Sequence, residues 1–247
     1  MTKRNQKNVV EQRWEKKAEQ GRVISEKHLV ERKPVKPLVP MNELQREYIN
    51  LIQKHNLVIT TGLAGTSKTY IPTVMACDMF REGLIETIYI TRPNISNSKS
   101  LGFFGGSLVE KMSNWLMPVL SVMTERLGWA TLELAIKRGQ IVFVPMEVIK
   151  GMSFGEKSFT ICDESEDLTI DEAKKLTTRQ GGGYMVLCGD VTQSELKERS
   201  GLAKLVEMIH RSPELSSTVG LIDFNRPSDI VRSDDCRRWV LAWRDEK

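Results

Sequence analysis

The chain of 247 residues is 40% hydrophobic and 28% charged, with a formal net charge of +4, a composition that suits a globular protein with one good-sized core and an appendage. No apolar run reaches the roughly 20 residues that a membrane helix needs, and the polar, basic N-terminus lacks the apolar stretch of a secretory signal. Cys77, Cys162, Cys188 and Cys236 show neither metal-ligand nor CxxC spacing, which excludes a cysteine-built zinc or redox site and points to a reducing, cytoplasmic setting.

Residues 1–40 hold eleven Lys/Arg against five acids, a surplus of six that leaves −2 on the rest of the chain. A basic arm on a near-neutral body suits contact with a phosphate backbone; it reads equally well as a solvated tail. Pro34, Pro37 and Pro40 make Lys33 to Pro40 an extended linker. The chain thus divides into an arm and linker, 1–40, and one folded domain, 41–247.

Asn42 begins a helix, with Gln45 three residues on as in a capping box. Leu57 to Thr61 is a short apolar strand, followed by a glycine-rich turn and a helix to Arg81. Glu86 to Thr91 is a second strand, and residues 107–137 read as irregular helix. Further strands are expected at Ile141 to Val144, Ser158 to Asp163, Tyr184 to Cys188 and Thr218 to Phe224. Helices are expected at Asp171 to Thr178 and Gly201 to His210, with a last amphipathic one from Ser228 to Trp243. Strands apolar on both faces and alternating with helices predict an α/β fold with a doubly wound parallel sheet. Ligands in that fold lie beyond the carboxyl ends of the strands, where the motifs also fall.

Gly62-Leu63-Ala64-Gly65-Thr66-Ser67-Lys68-Thr69 follows a strand and opens a helix, the context that the P-loop pattern G-x-x-x-x-G-K-[ST] requires. Its amide groups and the helix N-terminus can wrap a phosphate. Lys68 would reach the β- and γ-phosphates of ATP, and the Thr69 hydroxyl would join a Mg2+ shell. Ser67 stands where glycine is usual; a small side chain should be tolerated there even if the backbone needs φ > 0. Ser158 to Cys162 ends in Asp163 and Glu164, an apolar strand capped by two carboxylates. Asp163 would hold magnesium through water, and Glu164 would orient or deprotonate the attacking water. Alone, such acids are often helix caps; after a P-loop they are its expected partner. A further strand ends in Gly189-Asp190, and Gln193 in the next loop could sense the γ-phosphate or be part of an ordinary turn.

In order and spacing these motifs resemble the PhoH family of P-loop ATPases, itself similar to the core of superfamily-one helicases, from about Asn42 to Trp243. Also in line are Thr91-Arg92-Pro93, Leu101-Gly102-Phe103, Glu110-Lys111 with Pro118, Thr178-Arg179, Ser200-Gly201-Leu202 and Asp229-Ile230-Val231-Arg232. The departures are Ser67, Lys150-Gly151 where the family tends to have Arg-Gly, and Ser165-Glu166 where it tends to have alanine then glutamine. Together with the chain's size they suggest a divergent member of a kind that a phage would encode. The resemblance implies that Gln45 contacts adenine, that Arg92 and Arg179 belong to the nucleotide or nucleic-acid surface, and that Arg232 is an arginine finger. For Arg232 the residues alone are as well served by a surface salt bridge. The resemblance also implies a homo-oligomer, a hexameric ring.

The expected function is therefore a Mg2+-dependent ATPase acting on or with RNA or single-stranded DNA. Aromatics are only 6% of the chain and no stacking motif is visible, so nucleic-acid binding has less support than ATP binding. Two alternatives are a small-molecule kinase on the same loop, for which no arginine-rich lid is seen, and a non-hydrolysing nucleotide-binding module disabled by Ser67.

Overall fold

The computed structural model describes residues 35–93 and 116–246. The basic arm, Leu101-Gly102-Phe103, Glu110-Lys111 and the first part of the expected 107–137 helix lie outside the described residues. Six strands form a parallel sheet: β1 (Leu57–Gly62), β2 (Thr87–Arg92), β3 (Ile141–Pro145), β5 (Ser158–Cys162), β7 (Tyr184–Cys188) and β8 (Val219–Phe224), in the order β3-β2-β5-β7-β1-β8. A separate two-stranded ribbon pairs β4 (Phe154–Gly155) with β6 (Gln180–Gly181). It is too short to leave a periodic trace in the sequence.

Helices cover both faces. On one side α1 (Glu43–Lys54), α2 (Tyr70–Arg81), α3 (Met117–Leu127) and α4 (Trp129–Lys137) bury Tyr48, Ile52, Ile71, Met75, Met123 and Leu132 against the sheet. On the other, α5 (Ile170–Thr177) and α6 (Gly201–Arg211) bury Leu176, Leu202 and Ile209. This two-sided cover is why β5 and β7 are buried at every position and read as unbroken apolar runs. Two further helices, α7 (Pro213–Thr218) and α8 (Asp234–Asp245), flank β8 in sequence. Among the described residues no helix is long and apolar enough to cross a membrane.

Three local readings change. The irregular helical stretch is two helices broken at Gly128, whose φ of 77° lies in the left-handed region. The cap of α1 is one-sided. Asn42 accepts from the Gln45 amide at 2.8 Å, but the Gln45 side chain accepts from Met41 rather than from Asn42. The last helix starts at Asp234 and not at Ser228. Pro227 to Asp229 form a separate 3-10 turn, and Ser233 caps α8 by accepting from the Cys236 amide, with Asp234 and Asp235 in the first turn. Arg232 is therefore not on that helix.

Candidate functional site

β1 leads into the loop between the sheet and α2. At Gly62, φ is 118° and a Cβ would stand 2.3 Å from the Phe224 carbonyl oxygen, so only glycine lets the chain leave the sheet here. The loop is held from within and from outside. Thr66 Oγ1 donates to the Leu63 carbonyl at 2.9 Å, the Leu63 amide to the Phe224 carbonyl at 2.8 Å, and the Val231 amide to the Gly65 carbonyl at 3.0 Å. Among the described residues no hydrogen bond takes the amide groups of Gly65 to Thr69. A run of unused donors at the start of α2 is an anion cradle in chemical terms. Ser67 adopts φ 72°, so the position does need the left-handed conformation that glycine meets without cost.

Lys68 Nζ donates to the carbonyls of Gly62 at 2.5 Å and Leu63 at 2.7 Å. Burial lowers its pKa, while Asp190, Glu166 and Glu164 pull the other way. A polyanion beside Nζ would restore the cation's preference for charge. Thr69 Oγ1 donates to Asp163 Oδ1 at 2.6 Å, which joins the loop to the end of β5. Burial raises the Asp163 carboxyl above its ordinary range, against the Thr69 hydrogen bond. The hydroxyl and carboxylate are hard oxygen donors of the kind magnesium takes alongside phosphate oxygens, so the residues present fit that ion.

Glu164 follows in the left-handed region at φ 49°, a conformation that a non-glycine residue holds at some cost. It turns its side chain, 43% exposed, toward Arg92 at the end of β2, with 3.5 Å between Nη2 and Oε1. β7, which lies between β1 and β5, delivers the third piece. Asp190 accepts from Thr192 N at 3.0 Å, Thr192 Oγ1 at 2.6 Å and Gln193 Nε2 at 2.7 Å, so the aspartate shapes the loop and Gln193 is exposed on it.

These parts face one cleft of about 1070 Å³, walled by the loop from Ala64 to Thr69 and by Asp163, Glu164, Gln193 and Arg232. Gly62 and Leu63 are not among its walls, but their carbonyls accept from Lys68, which is. Gln45 departs from expectation. It is 2% exposed and is not among the cleft walls. Its amide is spent on Met41 N at 2.8 Å and the Thr66 carbonyl at 3.3 Å, so here it props the loop rather than facing a base. Arg179 is exposed at the end of α5, outside the cleft walls.

Two features were not anticipated. Residues Lys36 to Val39 and Met41, read as linker and helix lead-in, line the cleft. They are fixed there by Arg126 of α3, which is 6% exposed, grips Asp78 through two nitrogens and donates to the Lys36 carbonyl at 2.5 Å. No local motif announces a pairing across 48 and 90 residues of sequence.

A family model for PhoH-like proteins matches residues 37–244. The PhoH-like protein of Bacillus subtilis is 34% identical over 191 residues, covering 76% of this chain and 58% of that protein. Protein PhoH of Escherichia coli K12 is 31% identical over 212 residues, covering 84% of this chain and 58% of that protein. The chain thus spans under two thirds of the length of these curated relatives. The structure of Bacteroides sp Pif1 in complex with ADP-AlF4 aligns over 80% of this chain and 44% of that one, at 16% identity and a TM-score of 0.38, a likeness too low to carry an argument. The family match over residues 37–244, together with a P-loop set at the carboxyl edge of a parallel sheet, makes this chain a member of the PhoH-like family.

Proposed function

We propose that the chain is a magnesium-dependent ATPase that works with RNA or single-stranded DNA. The observation that carries the hydrolase reading is the 2.6 Å link from Thr69 to Asp163 beside five unused amide donors, with Lys68 and Glu164 on the same cleft. Gly65 to Thr69 bind the phosphate chain through their amides, and Lys68 exchanges its two carbonyl partners for β- and γ-phosphate oxygens. Thr69 and Asp163 would hold magnesium, which when bound offsets the charge on those oxygens. Glu164 accepts a proton from water as the water oxygen bonds to the γ-phosphorus and the bond to the bridging oxygen breaks, leaving ADP and phosphate. Gln193, set by Asp190, orients that water. Arg232 at the rim supplies a cation to the developing charge, within its own chain or across a ring of copies.

Nucleic acid is favoured as partner by the surplus of six positive charges in residues 1–40 and by the family resemblance. The test is phosphate release from Mg-ATP with and without single-stranded RNA, on wild type and Lys68→Ala. Release by wild type, raised by RNA and abolished in the variant, is expected. Equal release by the two proteins would overturn the assignment of the loop.

A further inference from the structure

Glu166 has no task in the scheme above, yet it lines the same cleft and is only 4% exposed. Its backbone carbonyl accepts from Ser194 Oγ at 2.8 Å and from Ser200 Oγ at 2.7 Å. Its Oε2 accepts from the Asp190 amide at 3.1 Å. The fit is tight: a Cβ on Gly189 would stand 2.5 Å from that oxygen, so glycine is needed before Asp190 for the carboxyl to enter. Glu166 thus ties the turn that carries Glu164 to the loop that carries Gln193.

The charged groups around it come from two elements. Glu164 lies beside it in its own turn and Lys68 faces it from the P-loop, while the loop after β7 offers it the Asp190 backbone amide. Arg92 lies beyond, on Glu164. Burial, followed by the adjacent Glu164, pushes the Glu166 carboxyl up to about 9. Two neighbouring carboxyls cannot both ionise cheaply in such a place. Glu164 is the more exposed of the two and has Arg92 3.5 Å away. Glu166 then keeps its proton and has an O–H to donate, while Oε2 goes on accepting from Asp190. One acceptor and one donor on a planar head is what a glutamine amide would present, and glutamine is the residue that the family resemblance leads one to expect here.

We propose that Glu166 is a positioning residue which stands in for glutamine and holds the Glu164 turn in register with the Gln193 loop. The catalytic part of this assignment rests on the hydrolase reading. Above the Glu166 pKa the donor is lost and the turn holds two adjacent anions, so turnover falls as pH rises through about 9.

The experiment compares wild type, Glu166→Gln and Glu166→Ala in steady-state ATP hydrolysis from pH 6 to 10, and in thermal unfolding over pH 5 to 9. Glu166→Gln should keep kcat within about twofold of wild type at neutral pH and lack the alkaline decline. Glu166→Ala should lose at least about tenfold in kcat with little change in KM. Unfolding gives a readout that needs no turnover. The carboxyl is raised from 4.5 to about 9 by folding, so its contribution to stability is full below 4.5 and is lost as pH climbs toward 9. The Tm of Glu166→Gln should therefore pull ahead of wild type progressively over that window. A constant Tm gap, or the wild-type alkaline decline persisting in Glu166→Gln, overturns the Glu166 assignment. A folded wild type that hydrolyses no ATP at any pH overturns the hydrolase reading instead.

Discussion

Ser67→Gly tests whether the loop is strained as its backbone implies. Ser67 sits at φ 72°, where an L-residue costs roughly 1–2 kcal/mol relative to the right-handed form. Glycine removes that cost but gives back about 0.5–1 kcal/mol through the greater freedom of the unfolded chain. The net expectation is a gain of about 0.5–1 kcal/mol. For a domain of this size, 1 kcal/mol moves Tm by roughly 2–4 °C, so the variant should melt about 1–4 °C higher. The side chain makes no hydrogen bond among the described residues that the substitution would remove, and the Ser67 carbonyl keeps its bond from the Ile71 amide at 3.1 Å. Ser67→Ala, which retains a Cβ and therefore the strain, is the control and should show no such gain. Thermal unfolding without nucleotide reads both. A Ser67→Gly protein that melts at or below the Ser67→Ala protein would refute the strain argument.

Glu164→Gln should bind Mg-ATP like wild type and lose about 10²–10⁴ in turnover, as removal of a general base implies; loss of binding in an equilibrium nucleotide titration would count against that role. Removing residues 1–33 should leave basal hydrolysis intact and flatten the salt dependence of single-strand affinity by roughly 0.7 in log–log slope per lost phosphate contact, with an unchanged slope leaving the arm no part in binding. Arg126→Ala should cost about 2–3 kcal/mol by chemical denaturation, below the usual figure for a wholly buried pair because Asp78 is 32% exposed. It should also weaken nucleotide binding through the freed Lys36 to Met41 wall, and wild-type affinity would show that wall to be unused. Lys68→Ala and Arg232→Ala, each inactive alone, should recover partial activity on mixing if Arg232 serves a neighbour's nucleotide, whereas no recovery despite subunit exchange assigns it to its own chain.

The sheet was legible because its chemistry is local. β5 and β7 are unbroken apolar runs, and each hands over to a polar motif at its carboxyl end. The loop was legible because Gly62, Lys68 and Thr69 have fixed spacing within one turn. What escaped was long-range or subtle in period. The grip of Arg126 on Asp78 and Lys36 joins three distant segments, and a buried arginine looks like a surface one in sequence. The place of Gln45 was not legible because one glutamine can either face a base or prop the loop, and its 3.3 Å contact to the Thr66 carbonyl spans 21 residues of sequence. The start of α8 was set too early because Ser228 and Ser233 are both plausible caps. Pro227 and the Asp229 bond to the Arg226 amide close a separate turn first.

That shift of the helix start alters how Arg232 should be understood. On a helix from Ser228 it would have projected from an edge of the domain. Instead Ile230, fully buried, and Val231, bonded to the Gly65 carbonyl, lash the segment before α8 to the P-loop itself. A Cβ placed on Gly65 would stand 3.3 Å from each of Ile230 Cγ2, Arg232 Cβ and Cys236 Sγ, so no slack separates the loop from the start of α8. A closed packing of this kind does not let one partner move alone. Any adjustment of Gly65 around a phosphate is passed to Val231 and from there to Arg232 and α8. Arg232 is thus positioned by the same loop that carries the unused amide donors. An arginine finger carried on this segment would be placed according to the state of its own chain's P-loop, and in a ring that is the connection by which one site could report its occupancy to the next.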